Sequence, residues 1–182
     1  MSLNKPVRRI AIVGTGVIGA SWAAEFLAHG FDVVATDPAP NAEQNLRKYI
    51  DAAWPALTAK GLKKNASRER LAFSSDLKET VSRADFVQEN GPERPDFKIK
   101  LFAEIDAATP TDSIIASSSS GITMSVTQSA CAHAERCVIG HPFNPPHMVP
   151  LVEVVGGAKN DAFRQDAFAV HVLSGKRGTG GC

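Results

Sequence analysis

Three glycines, two carboxylates, a run of serines and one histidine carry the chemistry available to this sequence. Gly14-Thr15-Gly16-Val17-Ile18-Gly19 follows a short β-branched run and precedes a stretch in which Ile18, Trp22 and Phe26 recur at helical spacing. In a strand, turn and helix of this kind the first glycine permits the tight turn and the second lets a pyrophosphate approach the backbone. The third allows the helix to pack closely on the strand, while the helix N-terminus offers N–H groups to the anion. Gly14, Gly16, Val17, Ile18 and Gly19 are therefore candidate cofactor-binding residues. Asp37 closes the next apolar run, about 20 residues on, where a carboxylate accepts hydrogen bonds from ribose hydroxyls and repels a 2′-phosphate, which favours NAD over NADP. The plain alternative is a glycine-rich turn beside a surface Asp, and a flavin dinucleotide would use a similar turn.

Ser117-Ser118-Ser119-Ser120-Gly121 follows another apolar run, so its hydroxyls emerge at a strand's carboxyl end, the side on which open α/β sheets bind ligands. His141 leaves Cys137 to Gly140 in the same way, just before Pro142. Glu153 lies within Leu151 to Val155, where an ionised side chain among apolar neighbours is costly unless paired, and His141 is the natural partner. Such a pair fixes the imidazole and favours its protonated form, as a base taking a hydroxyl proton requires while hydride leaves the same carbon. The bland alternative is a capped or solvated loop histidine.

These groups need a scaffold, and the chain supplies one. It has 182 residues, 43% of them hydrophobic, with 20 Lys and Arg against 19 Asp and Glu, the profile of a globular domain able to build a core without disulfides. A formal charge of +1 gives no electrostatic case for a nucleic-acid or membrane partner, and small molecules are the expected ligands. Cys131, Cys137 and Cys182 are too few and too unevenly spaced for a disulfide framework or a zinc site, so no metal is expected and a reducing compartment is. Arg8 and Arg9 before the uncharged Ile10 to Ala24 mimic a targeting signal, but the glycines and the amphipathic spacing into Glu25 fit a folded domain, and a cytoplasmic protein is expected.

Strands are predicted at Arg8 to Val13, Phe31 to Thr36, Leu71 to Phe73, Asp85 to Gln88, Ser113 to Ala116, Cys137 to Gly140 and Leu151 to Val155. Helices are predicted after Gly16, from a cap at Asn41 to about Lys60, from Glu93 to Ala108, and over Asp161 to Leu173. The alternation predicts an α/β, Rossmann-type doubly wound sheet, mostly parallel. The connection before the last strand is too short for a helical crossover, so that final pairing is expected to be antiparallel. The Gly-rich end, residues 178–182, reads as a frayed, appended or truncated tail after a domain spanning 1–177.

The segments IAIVGTGVIGASWAA with Asp37, FVQENGPERPDFK, IIASSSSGIT and GHPFNPPHMVPLVEVVGG resemble, in order, the NAD-binding domain of the L-3-hydroxyacyl-CoA dehydrogenase family, from about Arg8 to Lys176. The resemblance implies NAD as cofactor, His141 as catalytic base, Glu153 as its orienting carboxylate and Ser120 as the group holding the substrate hydroxyl, with Ser119 and Asn144 also at the substrate. It implies that Glu93 and Lys98 contact the nicotinamide half of the cofactor, whereas spacing alone allows a solvated helix face. It further implies an all-helical C-terminal domain, absent here, that supplies part of the active site and most of a homodimer contact, so a chain of this length would bind NAD and turn over poorly.

The expected substrate is an L-3-hydroxyacyl-CoA thioester, with a free small 3-hydroxy acid such as L-carnitine or L-gulonate as the alternative. The basic cluster Lys60, Lys63, Lys64, Arg68 and Arg70 favours the first if it holds phosphate, though a solvated helix end fits it equally. The short Asp37 to Asp76 segment, WPALTAKGL and HPFNPPHMVPLVE are similar to carnitine 3-dehydrogenases and to the gulonate dehydrogenase or lambda-crystallin group. A non-catalytic NAD-binding or structural protein is the rival from another class.

Overall fold

The computed structural model describes residues 6–160; the helix expected over Asp161 to Leu173 and the tail at 178–182 lie outside them. Apolar, β-branched segments form seven strands, β1 (Arg9–Val13), β2 (Asp32–Thr36), β3 (Leu71–Phe73), β4 (Phe86–Glu89), β5 (Ile114–Ser117), β6 (Cys137–Pro142) and β7 (Val152–Gly156). They make one sheet in the order β3-β2-β1-β4-β5-β6-β7, parallel except for the last pair. The sheet order turns back between β1 and β4, and that reversal opens a crevice at the strands' carboxyl ends where the glycine turn lies.

Among the described residues five α-helices cover the faces: α1 (Val17–Ala28), α2 (Ala42–Lys60), α3 (Leu77–Val81), α4 (Pro95–Ala108) and α5 (Met124–Thr127). One core layer joins Trp22, Phe26 and Leu27 of α1 and Leu46, Ile50 and Leu57 of α2 to the sheet, and Trp22 stacks on Phe26 with ring centroids 5.1 Å apart. The other joins Val81, Phe102, Ile105 and Met124 to Val87, Ile115 and Ile139. Asn41 does occupy the cap position of α2, but in the left-handed conformation, with no side-chain hydrogen bond to the helix; it turns the chain instead of satisfying an N–H.

A buried ion pair tightens the far end of α4. Arg136, fully buried, donates from Nε and Nη2 to Asp106 Oδ1 at 2.9 and 2.7 Å. Burial would raise the Asp106 carboxyl, but the His133 N–H, Arg136 and the Ala132 N–H together hold it below its ordinary range. That anchors the entry to β6, the strand that ends in the histidine.

Candidate active site

The glycine turn is built as its spacing predicts. Gly14 has φ +86°, and a Cβ there would stand 3.0 Å from the Asn90 backbone; a Cβ on Gly19 would stand 1.9 Å from Gly14 O. Both positions need the missing side chain for packing. At Gly16 a Cβ would meet nothing within 4 Å, so this glycine leaves open space. It is also the N-cap of α1, with no side-chain acceptor on the helix terminus and no acid in the first turn, and the N–H groups of the first turn are available to an anion. Ile18 packs against the core and Val17 is exposed, so these two offer backbone, not side chains. Gly14, Gly16, Thr36, Asp37, Asn90 and Phe97 line a cavity of about 640 Å³. Asp37 accepts from Thr15 N at 2.7 Å, Thr15 Oγ1 at 3.1 Å and Ala39 N at 2.8 Å, which holds the carboxylate at the cavity wall. A pyrophosphate-bearing dinucleotide fits this cradle: open space at Gly16, an uncapped helix end and a fixed carboxylate beyond them.

A second cavity, about 180 Å³, is lined by Ser119, Ser120, Gly121, Ile122, His141 and Glu153, among others. The β6–β7 register sets His141 directly opposite Glu153, which places their Cβ atoms about 5 Å apart. The direct bond expected between the two is not formed. Glu153 lies on the exposed face of β7 and is solvated there, so burial does not force it to pair. The imidazole Nδ1 lies instead 3.1 Å from the carbonyl oxygen of Ser118. A carbonyl only accepts, so Nδ1 carries a proton, and in the neutral ring Nε2 holds the lone pair. Among the described residues Nε2 has no hydrogen-bond partner.

The four serines have four different situations. Ser117 Oγ donates to buried Glu89 at 2.5 Å. Ser118 Oγ lies at 2.8 Å from Gln88 Nε2, 3.3 Å from Trp22 Nε1 and 2.8 Å from Asn90 Oδ1. Ser119 Oγ donates to Glu93 Oε1 at 2.5 Å. Only the Ser120 hydroxyl makes no hydrogen bond within the described residues, although its backbone N–H donates to Glu93. Of the two serines the family pattern offers the substrate, Ser120 is therefore the one with its hydroxyl to spare.

Glu93 organises this loop: Oε1 accepts from Ser119 Oγ and from the N–H groups of Ser120 and Gly121, the last at 2.8 Å. Burial would raise its carboxyl, but Ser119, Gly121, the nearby Lys98 charge and Ser120 outweigh that and hold it below the usual range. Lys98 has partners other than the cofactor contact that the resemblance implies, and it is not a solvated residue either. It is 1% exposed, and its ammonium donates to Glu89 Oε1 and Oε2 at 2.9 and 2.8 Å and to Gly91 O at 3.3 Å. Glu89, itself 0% exposed, went unnoticed in the sequence, although a carboxylate at the end of an apolar strand was a usable signal. Asn144 is exposed in the loop after β6 and does not line either cavity.

His147, also unnoticed, pins that loop to the helices. It is buried, its N–H donates to Ser21 Oγ at 3.1 Å, its Nδ1 lies 2.7 Å from the same hydroxyl, and its carbonyl accepts from Lys60 Nζ at 3.0 Å. Of the basic cluster, Lys60 pairs with Glu25, Arg68 with Asp51 and Arg70 with Asp32 at the surface, and Lys63 and Lys64 are exposed.

Residues 9–173 match the family model described as 3-hydroxyacyl-CoA dehydrogenase, NAD binding domain. An L-carnitine dehydrogenase of Streptomyces griseus is 53% identical over 171 residues, covering 93% of this chain and 51% of that protein, and one of Pseudomonas putida is 53% identical over 153 residues, covering 84% and 48%. This chain thus spans about half the length of the curated relatives it matches. Among solved structures, an NAD⁺-dependent 5-formyl-3-hydroxy-2-methylpyridine 4-carboxylic acid 5-dehydrogenase superimposes with a TM-score of 0.85 at 34% identity, over 93% of this chain and 55% of that one. Escherichia coli 3-hydroxybutyryl-CoA dehydrogenase gives 0.85 at 27% identity, over 94% and 37%.

Proposed function

The chain belongs to the 3-hydroxyacyl-CoA dehydrogenase family as an NAD-binding domain, and from that premise we propose that it serves NAD-dependent oxidation of the C3 hydroxyl of a small free 3-hydroxy acid of the L-carnitine type. The observation that carries this reading is the second cavity, which Ser120, His141 and Glu153 line together; among the described residues neither His141 Nε2 nor the Ser120 hydroxyl has a hydrogen-bond partner. Ser120 holds the substrate hydroxyl, and Nε2 takes its proton as the C–H bond at the same carbon breaks. Glu153, opposite on β7, offsets the positive charge that the imidazole then carries. Gly14, Gly16 and the first turn of α1 hold the cofactor's pyrophosphate, and Asp37 its ribose. NAD, when bound, supplies the two-electron acceptor.

One observation favours a free acid over a CoA thioester: the relatives at 53% identity are L-carnitine dehydrogenases. A cytoplasmic setting belongs to the same proposal, supported by the free thiols of Cys131 and Cys137; among the described residues no helix is long and apolar enough to cross a membrane. The test is NADH formation with L-carnitine, L-gulonate and 3-hydroxybutyryl-CoA at equal concentrations, read as a ranking. L-carnitine is expected first; a higher kcat/KM with the CoA ester overturns the free-acid reading. NAD binding by calorimetry with turnover of none of the three, in a protein extended to the full length of its relatives, would favour a non-catalytic nucleotide binder.

A further inference from the structure

We propose that Ser118 is a positioning residue: its hydrogen bonds hold the carbonyl that decides which nitrogen of His141 bears the proton, and Asn90 ties that decision to the glycine turn. This rests on the reading of His141 as the base and adds what sets its usable nitrogen.

Ser118 is fixed at three atoms. Its N–H extends the β4–β5 ladder by donating to Glu89 O at 2.9 Å. Its hydroxyl is saturated, since a serine has one proton and two lone pairs: it accepts from Gln88 Nε2 and Trp22 Nε1 and donates to Asn90 Oδ1. Its carbonyl accepts from His141 Nδ1. The polarity of this chain of bonds is set from its far end. Asn90 Nδ2 faces three carbonyls, Gln88 O at 3.0 Å and Val13 O and Gly14 O at 3.4 Å, so its Oδ1 must be the atom turned to Ser118. Gln88 is 0% exposed and reaches the hydroxyl from beneath, and Trp22 reaches it from α1. The hydroxyl thus ties together β4, α1 and the turn, and the carbonyl of the same residue meets the imidazole. An unconstrained histidine side chain favours the opposite tautomer, with the proton on Nε2, which cannot accept a substrate proton there. Glu153 is not bonded to the ring, so the strand partner does not supply the constraint.

The test reads the tautomer directly, without turnover. Nitrogen-15 spectra of the histidine-labelled full chain, with His141 assigned by its absence in H141Q, are recorded for wild type, S118A, S118T and E153Q. Wild type should show a protonated Nδ1 and an unprotonated Nε2. S118A should move the population toward the Nε2-protonated form by about two- to tenfold, the range an ordinary hydrogen bond commands, and lower kcat by a similar factor while KM and NAD affinity stay within twofold. S118T, which keeps the hydroxyl, should retain the wild-type tautomer, and E153Q should retain it too. A wild-type ring protonated on Nε2, an unchanged tautomer in a folded S118A, or a flip in E153Q alone would overturn the assignment. Absence of turnover beside the predicted spectra, in a protein extended to the full length of its relatives, would count against the dehydrogenase reading, and the spectra would still support the role of Ser118.

Discussion

Replacing Lys98 by Met separates two roles for one residue. The ammonium lies on Glu89 at 2.8 and 2.9 Å, with Glu93 at 3.7 Å, and Lys98 and Glu89 are 1% and 0% exposed. Methionine matches the length of the stem but leaves a carboxylate buried beside an apolar thioether. Removing one partner of such a pair costs about 3–5 kcal/mol. The lower end applies here, since Glu89 keeps the Ser117 hydroxyl and the Gly91 N–H, each at 2.5 Å. In a chain of this size each kcal/mol is worth roughly 2–4 °C, so K98M should melt about 6–12 °C lower, and the double variant E89Q/K98M should recover more than half of that. Because Lys98 does not line the dinucleotide cavity, NAD affinity should change by less than about threefold. Differential scanning calorimetry and calorimetric NAD titration read the two quantities side by side. A melting temperature within about 2 °C of wild type, with NAD affinity down tenfold or more, would return Lys98 to the cofactor.

The glycine turn makes a paired prediction. G16A adds a methyl into open space, so thermal stability should stay within about 2 °C while NAD affinity falls by about 10- to 100-fold, the worth of a charge-assisted hydrogen bond to the pyrophosphate; G19A, whose Cβ would overlap Gly14 O, should unfold or fail to accumulate, as circular dichroism would record. His147 makes a prediction in pH. Burial, and after it Lys60, depress its protonation, against the opposing pull of Glu25. A depressed group gives stability that is complete above its ordinary value of about 6.5 and is lost as pH falls below that. The melting temperature of wild type should therefore drop more steeply from pH 7 to 5 than that of H147Q, and parallel curves would contradict the role given to this residue.

The scaffold was legible because its signals are local. Short apolar runs, most of them β-branched, gave the seven strands of the described sheet within two residues at each end, and the short link after His141 gave the antiparallel β6–β7 pair. That same hairpin put Glu153 opposite His141, but the facing side chains do not bond. Whether Glu153 is buried depends on which face of β7 the solvent reaches, and alternation alone does not say. The roles within Ser117 to Ser120 were illegible for a similar reason: four identical residues on one loop differ only in what lies beneath them, namely Glu89, Gln88 and Glu93. His147 depends on Ser21, 126 positions earlier, a distance over which no periodicity carries information. The glycine fingerprint was legible because each glycine answers a local demand of the turn itself.

If Nε2 of His141 is the proton acceptor of an NAD-dependent alcohol oxidation, H141Q should show it most directly against wild type, both extended to the full length of the relatives, with NADH absorbance under saturating L-carnitine and NAD binding by calorimetry in the same buffer. We expect a fall in kcat of about 10²- to 10⁴-fold with NAD affinity unchanged within twofold. Undiminished turnover in the variant, or a loss of NAD binding equal to the loss of rate, would contradict it.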